Sequence, residues 1–123
     1  MAIIKSRLLL SLSLLTTLIS LSLPVKADST ADLMVLYNCG EFKIEVWQKK
    51  NSGQLIYRST SSAGNINLTG GKQENTEGVR VYKFRSGDNE YWVWQGTLDN
   101  PDTGTLEVYK NGRQVMQRTC SPA

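Results

Sequence analysis

From residue 33 to residue 119 apolar positions recur mostly at every second residue, in short runs separated by turn-forming clusters. Phe42 to Lys49 (FKIEVWQK) shows the beat most plainly, with Phe42, Ile44 and Val46 on one side and Lys43, Glu45 and Trp47 on the other. A helix would mix those two sets, whereas a strand keeps them apart. Leu33 to Tyr37 is a compact apolar run of strand length. Gln54 to Ser59 returns after the turn former Asn51-Ser52-Gly53, and Ile66 to Thr69 adds a short fourth strand. Val79 to Thr97 (VRVYKFRSGDNEYWVWQGT) supplies two strands around a tight turn at Ser86 to Asn89, rich in the Val, Tyr, Phe and Trp that suit a pleated surface. Thr105 to Lys110 and Arg113 to Thr119 flank Asn111-Gly112, a two-residue hairpin connection in which both positions need positive φ. Gly70 to Gly78 (GGKQENTEG) is expected to be a long polar loop, and Asp99 to Gly104 (DNPDTG) a second loop. About eight short strands and no helical stripe after residue 27 predict an all-β fold, a small antiparallel up-and-down barrel.

The hairpin carries the most specific expectation. A turn at Gly87-Asp88 sets Phe84 opposite Tyr91, Tyr82 opposite Val93, Lys83 opposite Trp92 and Val81 opposite Trp94. Tyr82, Phe84, Tyr91 and Val93 then share one face. Val79, Val81, Lys83, Arg85, Glu90, Trp92 and Trp94 share the other. A barrel wall buries one side, and the purely apolar set is the core candidate. The face mixing Trp with charge is expected outside, with Lys83 stacked on Trp92 as a cation–π pair. Trp92 and Trp94, with Lys83, Arg85 and the outward Trp47, form a candidate binding surface for a saccharide or protein partner. The competing expectation is that the Lys and Arg stems simply cover these rings.

The N-terminus changes the accounting. Lys5 and Arg7 precede an apolar run from Leu8 to Leu23, followed by Pro24 and Val25-Lys26-Ala27, the layout of a signal peptide cleaved after residue 27. The apolar run is short for a membrane span, and there is no Cys at the cleavage point to carry a lipid. Residues 28–123 are then one β-barrel domain, exported and not stably inserted in a membrane. The whole chain has 14 Lys+Arg against 11 Asp+Glu. Three cations and no acids lie in the first 27 residues, so the mature domain carries eleven of each. The basic balance therefore belongs to targeting, and nucleic acid is not an expected partner. A monomer is expected.

Cys39 and Cys120 are the two cysteines. In an exported chain an even pair is most simply a disulfide, whereas a redox thiol pair would favour a CxxC spacing that is absent. The chain has no His, which removes the usual general base, the Ser-His and Cys-His nucleophile pairs and the commonest zinc ligand. No catalytic residue, metal site or cofactor is expected. Asp99 and Asp102 lie in a turn-rich loop, but Pro101 and Thr103 stand where alternate calcium ligands would. A hydrolase using paired carboxylates from Asp88, Glu90, Asp99 and Asp102 is a remote alternative.

Leu36-Tyr37-Asn38-Cys39, the segment from Gly78 to Tyr82, Trp94-Gln95-Gly96 and the terminal Cys120 together resemble the membrane-bound lysozyme inhibitors of C-type lysozyme. That resemblance implies a small exported eight-stranded barrel with a disulfide joining its ends. It also implies an inhibitory loop, since a Ser-Gly-x-x-Tyr segment of that family enters the lysozyme cleft. The corresponding residues here are Glu77, Gly78, Arg80 and Tyr82, with Glu in the Ser position and one extra residue before the Tyr. Gln95 stands where the family has a Lys before the Gly. The overall pattern also resembles small exported proteins of cyanobacteria, which implies periplasm, thylakoid lumen or medium. The expected function is thus a non-enzymatic exported binding module acting through an aromatic sheet face. The alternative is an inhibitor of a cell-wall hydrolase.

Overall fold

Nine strands follow one another with only turns and short loops between them: β1 (Ala31–Cys39), β2 (Phe42–Lys49), β3 (Leu55–Ser61), β4 (Gly64–Thr69), β5 (Lys72–Thr76), β6 (Val79–Ser86), β7 (Asn89–Gln95), β8 (Gly104–Lys110) and β9 (Arg113–Pro122). They belong to a computed structural model that describes residues 30–123; the expected signal peptide, residues 1–27, lies outside the described residues. The strands form one antiparallel sheet in the order β4-β3-β2-β1-β9-β8-β7-β6-β5, curled into a half-barrel.

The ninth strand is β5, which occupies the stretch expected as a polar loop. Lys72–Thr76 is exposed throughout, yet it ladders onto β6 from Lys72↔Lys83 to Thr76↔Val79. Glu77-Gly78 closes that hairpin as a two-residue turn, both at positive φ. Because every neighbouring pair is antiparallel, β4 and β5 both run opposite to β1. Gly70-Gly71 therefore carries the chain from one sheet edge to the other without reversing it. β4 and β5 thus run in the same direction at the two edges of the sheet, and β5 is a strand additional to the eight expected. The bend needs glycine for steric room: a Cβ on Gly71 would lie 2.2 Å from the Phe84 ring.

The inward side chains make one core, including Val35, Tyr37, Ile44, Val46, Tyr57 and Tyr82. Phe84, Val93 and Leu106 complete it from β6 to β8, with Tyr91 half-buried against it. The β6–β7 register is the one expected, Phe84↔Tyr91, Lys83↔Trp92, Tyr82↔Val93 and Val81↔Trp94. A two-residue turn fixes register by leaving no slack to slip. Asn111-Gly112 turns β8 into β9, with φ of 53° and 78°.

The weakest ladder joins the two halves of the sheet. β1 and β9 share only Tyr37↔Pro122 and Asn38↔Ser121. The Cys39–Cys120 disulfide sits one step further along, with its Cα atoms 4.1 Å apart. It crosslinks residues 81 apart in sequence, a loop whose closure is worth roughly 4–5 kcal/mol in the chain-entropy model. Arg118 adds a forked pair of hydrogen bonds to Glu41 at 3.0 and 3.2 Å beside the disulfide. Those bonds hold the Glu41 carboxyl below the usual carboxylate range.

Candidate binding surface

Alternation along β6, β7 and β8 puts Lys83, Trp92, Trp94, Glu107 and Tyr109 on the outer face, because the opposite residues are committed to the core. Trp92 stands directly across from Lys83 on one side and Glu107 on the other. The Lys83 Nζ lies 3.9 Å from the Trp92 ring centroid, a cation–π contact worth about 0.5–1 kcal/mol at such an exposed site. Tyr109 packs 4.6 Å from Trp92 and Trp94 6.3 Å from it, both tilted. The three rings form one row across two strands.

Carboxylates set the orientation of that row. The Trp92 indole N–H donates to Glu90 Oε1 at 3.0 Å, and the Trp94 indole N–H donates to Glu107 Oε1 at 2.8 Å. The Tyr109 hydroxyl donates to the same Glu107 oxygen at 2.9 Å. Partial burial first, then the hydrogen bond to Glu107 and the charges of Glu107 and Glu90, push the Tyr109 phenol up to about 12. Each ring is thus held by its polar end, leaving its carbon surface as the variable part of the face. Beneath the row Val81 is fully buried although it points outward, between its register partners Trp94 and Glu74.

Beside Trp92 runs a groove of about 280 Å³ lined by Gly70, Lys72, Glu74, Lys83, Arg85 and Glu90. Lys83 is paired with Glu74 at 2.9 Å, and Arg85 with Glu90 at 2.6 Å. Next to Trp94, Val79 and the 70% exposed Leu98 border a second groove of about 310 Å³. The sheet therefore brings four of the five expected surface residues, Lys83, Arg85, Trp92 and Trp94, into one region. Trp47 is not among them. It lies on β2, separated from β7 by β1, β9 and β8, where its indole N–H donates to Glu45 at 2.7 Å and Arg58 sits 5.9 Å from the ring.

Tyr109 and Glu107 are residues of this face that sequence reasoning did not nominate, and Glu90, placed on the face from the hairpin register, was not expected to hold an indole. Carrying the hairpin register one strand further, along the outward set Thr105, Glu107 and Tyr109, would have found Glu107 and Tyr109. The candidate inhibitory residues divide. Glu77, Gly78 and Arg80 are exposed at and beside the β5–β6 tip, and Gly78 and Arg80 line a groove of about 420 Å³ with Asn75 and Gln95. Tyr82 is fully buried. Its hydroxyl is 3.5 Å from Gln95 Oε1, and the Gln95 amide lies 3.5 Å from the Met34 carbonyl. A side chain so enclosed cannot enter a partner's cleft.

The acidic residues weighed for catalysis lie at the β6–β7 tip and in the β7–β8 loop. Asp88 is exposed at the β6–β7 tip, Asp99 and Asp102 are exposed in the β7–β8 loop, and Glu90 is occupied by Arg85 and Trp92. Among the described residues no three of Cys, Asp and Glu gather as a metal ion would require, and no helix is long and apolar enough to cross a membrane. The chain matches no protein-family model, no curated protein and no solved structure.

Proposed function

We propose that the protein is an exported, non-enzymatic binding module whose working surface is the outer face of β6–β8. The observation that carries this reading is the row Trp92–Trp94–Tyr109, each ring fixed at its polar end by Glu90 or Glu107. Rings pre-oriented on a rigid sheet lose little entropy on binding. The adjoining groove offers carboxylates and cations side by side, which suits a polyhydroxylated neutral partner better than a strongly charged one. A saccharide is the favoured class, and a protein surface rich in hydroxyl and amide groups is the competitor. The disulfide supports an oxidising, exported compartment.

Titrating soluble cell-wall oligosaccharides while following Trp emission tests the reading. A saturable change lost in Trp92→Ala and Trp94→Ala, with Trp47→Phe unaffected, is the expected result. Emission that resists acrylamide quenching and ignores every saccharide would count against it.

A second reading is inhibition of a cell-wall hydrolase by the β5–β6 tip, favoured by the exposure of Glu77, Gly78 and Arg80 on a tight turn. It predicts inhibition of a C-type lysozyme at micromolar protein, weakened by Arg80→Ala. Full lysozyme activity at that concentration would remove it.

A further inference from the structure

Four inward side chains, Phe42, Ile66, Tyr91 and Met116, pack on the core yet remain only half-buried. All four border a cavity of about 380 Å³ inside the curl of the sheet, and no charged residue lines it. Leu106 and Ser59 border it too, at 1% and 4% exposed. Ser59 is the sole polar residue buried to this degree among the described residues. It lies two residues from Tyr57 on β3, both line the cavity, and burial first of all keeps the Tyr57 phenol protonated far above its ordinary range. Each neutral hydroxyl has one proton to donate and lone pairs to accept.

We infer that this cavity is a binding site for a small neutral molecule with an apolar body and one hydroxyl, the hydroxyl meeting the Ser59–Tyr57 pair. A cavity of ~150 Å³ takes one benzene ring, so this volume corresponds in proportion to a guest of about 10–15 non-hydrogen atoms. It falls within the ~300–1,000 Å³ range usual for ligand sites. The lining offers no charged partner to an ion at its buried wall, which disfavours a charged guest there, while exposed Val115 marks its mouth. Ser59 and Tyr57 are the deeply buried polar groups of the lining, and the phenol of half-buried Tyr91 is the third, so the hydroxyl end of the guest is the end that enters toward β3. This site is on the opposite side of the sheet from the aromatic row, and the two stand or fall separately.

2-Naphthol is a suitable probe, followed by calorimetry and by amide NMR of the purified protein. Saturable one-to-one binding is expected, with shifts at Ser59, Tyr91, Leu106 and Met116 and none at Trp92 or Trp94. Ser59→Ala should weaken 2-naphthol about tenfold, the loss of one hydrogen bond to a neutral group, while leaving naphthalene unchanged. The charged 2-naphthoate should bind at least about tenfold more weakly than 2-naphthol. Met116→Trp alters a half-buried position and should fill the space, abolishing binding of both naphthalenes in a folded protein. Absence of saturation at 1 mM 2-naphthol, equal affinity for 2-naphthoate, or shifts confined to the outer face would each overturn the site.

Discussion

The two faces of β6–β8 are built from alternate residues of the same strands, yet they are held together by different physics. Inside, Tyr82, Phe84, Val93 and Leu106 are at most 2% exposed, and Tyr57 packs at 5.4 Å from both Phe84 and Tyr91. Stability there comes from apolar area removed from water and from dense contact, neither of which depends on a particular polar partner. Outside, Trp92, Trp94 and Tyr109 are half-buried, and each is oriented by a carboxylate. Less area is removed from water and more of the arrangement is directional. The inner face is saturated by its own molecule except at the cavity beside Tyr91 and Leu106, while an outer face organised this way keeps carbon surface for a partner.

Truncating the inner face should do the most damage. Phe84→Ala is expected to lower unfolding free energy by about 3–5 kcal/mol, the cost of a lost aromatic plus a cavity, measured by urea denaturation. Replacing both Cys39 and Cys120 with Ala removes the inward staple at the two-rung β1–β9 seam, and a loss of about 2–5 kcal/mol is expected. Dithiothreitol should then leave the variant's unfolding midpoint unchanged while lowering that of the native protein. Gly71→Ala attacks the same face from the backbone, forcing either the Phe84 ring or the β4–β5 bend to move, at about 1–3 kcal/mol. A Gly71→Ala protein as stable as the native one would show that the bend is looser than its contact with Phe84 implies.

The outer face should yield less in stability and more in binding. Trp92→Ala is expected to cost about 1–2 kcal/mol, well short of a fully buried aromatic, while removing saccharide-dependent fluorescence change. If Trp92→Ala destabilised the protein as much as Phe84→Ala, the outer row would be a second core rather than a surface.

How far each face was legible beforehand follows from the same contrast. The β6–β7 register and its inner set could be assigned from Gly87-Asp88 and simple alternation, since a short turn and a buried face leave one consistent pairing. β5 was missed because Lys72–Thr76 has no buried side at all. An edge strand held by backbone bonds to one neighbour shows no hydrophobic beat. Trp47 was assigned the correct side but the wrong company, because alternation gives the face of a strand and not its neighbours around the curl. The roles of Glu90 and Glu107 were not legible, as an acid beside a Trp in sequence does not say which indole it will hold.

The smallest effect is also the most selective probe of the outer row. Tyr109 keeps its proton up to about 12, first through partial burial and then through Glu107 and Glu90. A phenol raised in this way contributes stability that is complete below the ordinary tyrosine value near 10 and is lost as pH climbs through about 12. Glu107→Gln keeps an acceptor for the Tyr109 hydroxyl and removes the charge, so the Tyr109 midpoint should fall toward 10 without reaching it, burial being unchanged. Trp94 should keep its indole hydrogen bond through the Gln carbonyl, with a stability change of about 1 kcal/mol or less. Ring-carbon NMR of Tyr109 across pH 9 to 12.5 reads the midpoint directly. An unchanged midpoint in Glu107→Gln would mean that burial and Glu90 raise it without Glu107, and Glu107 would lose its part in holding the Tyr109 ring.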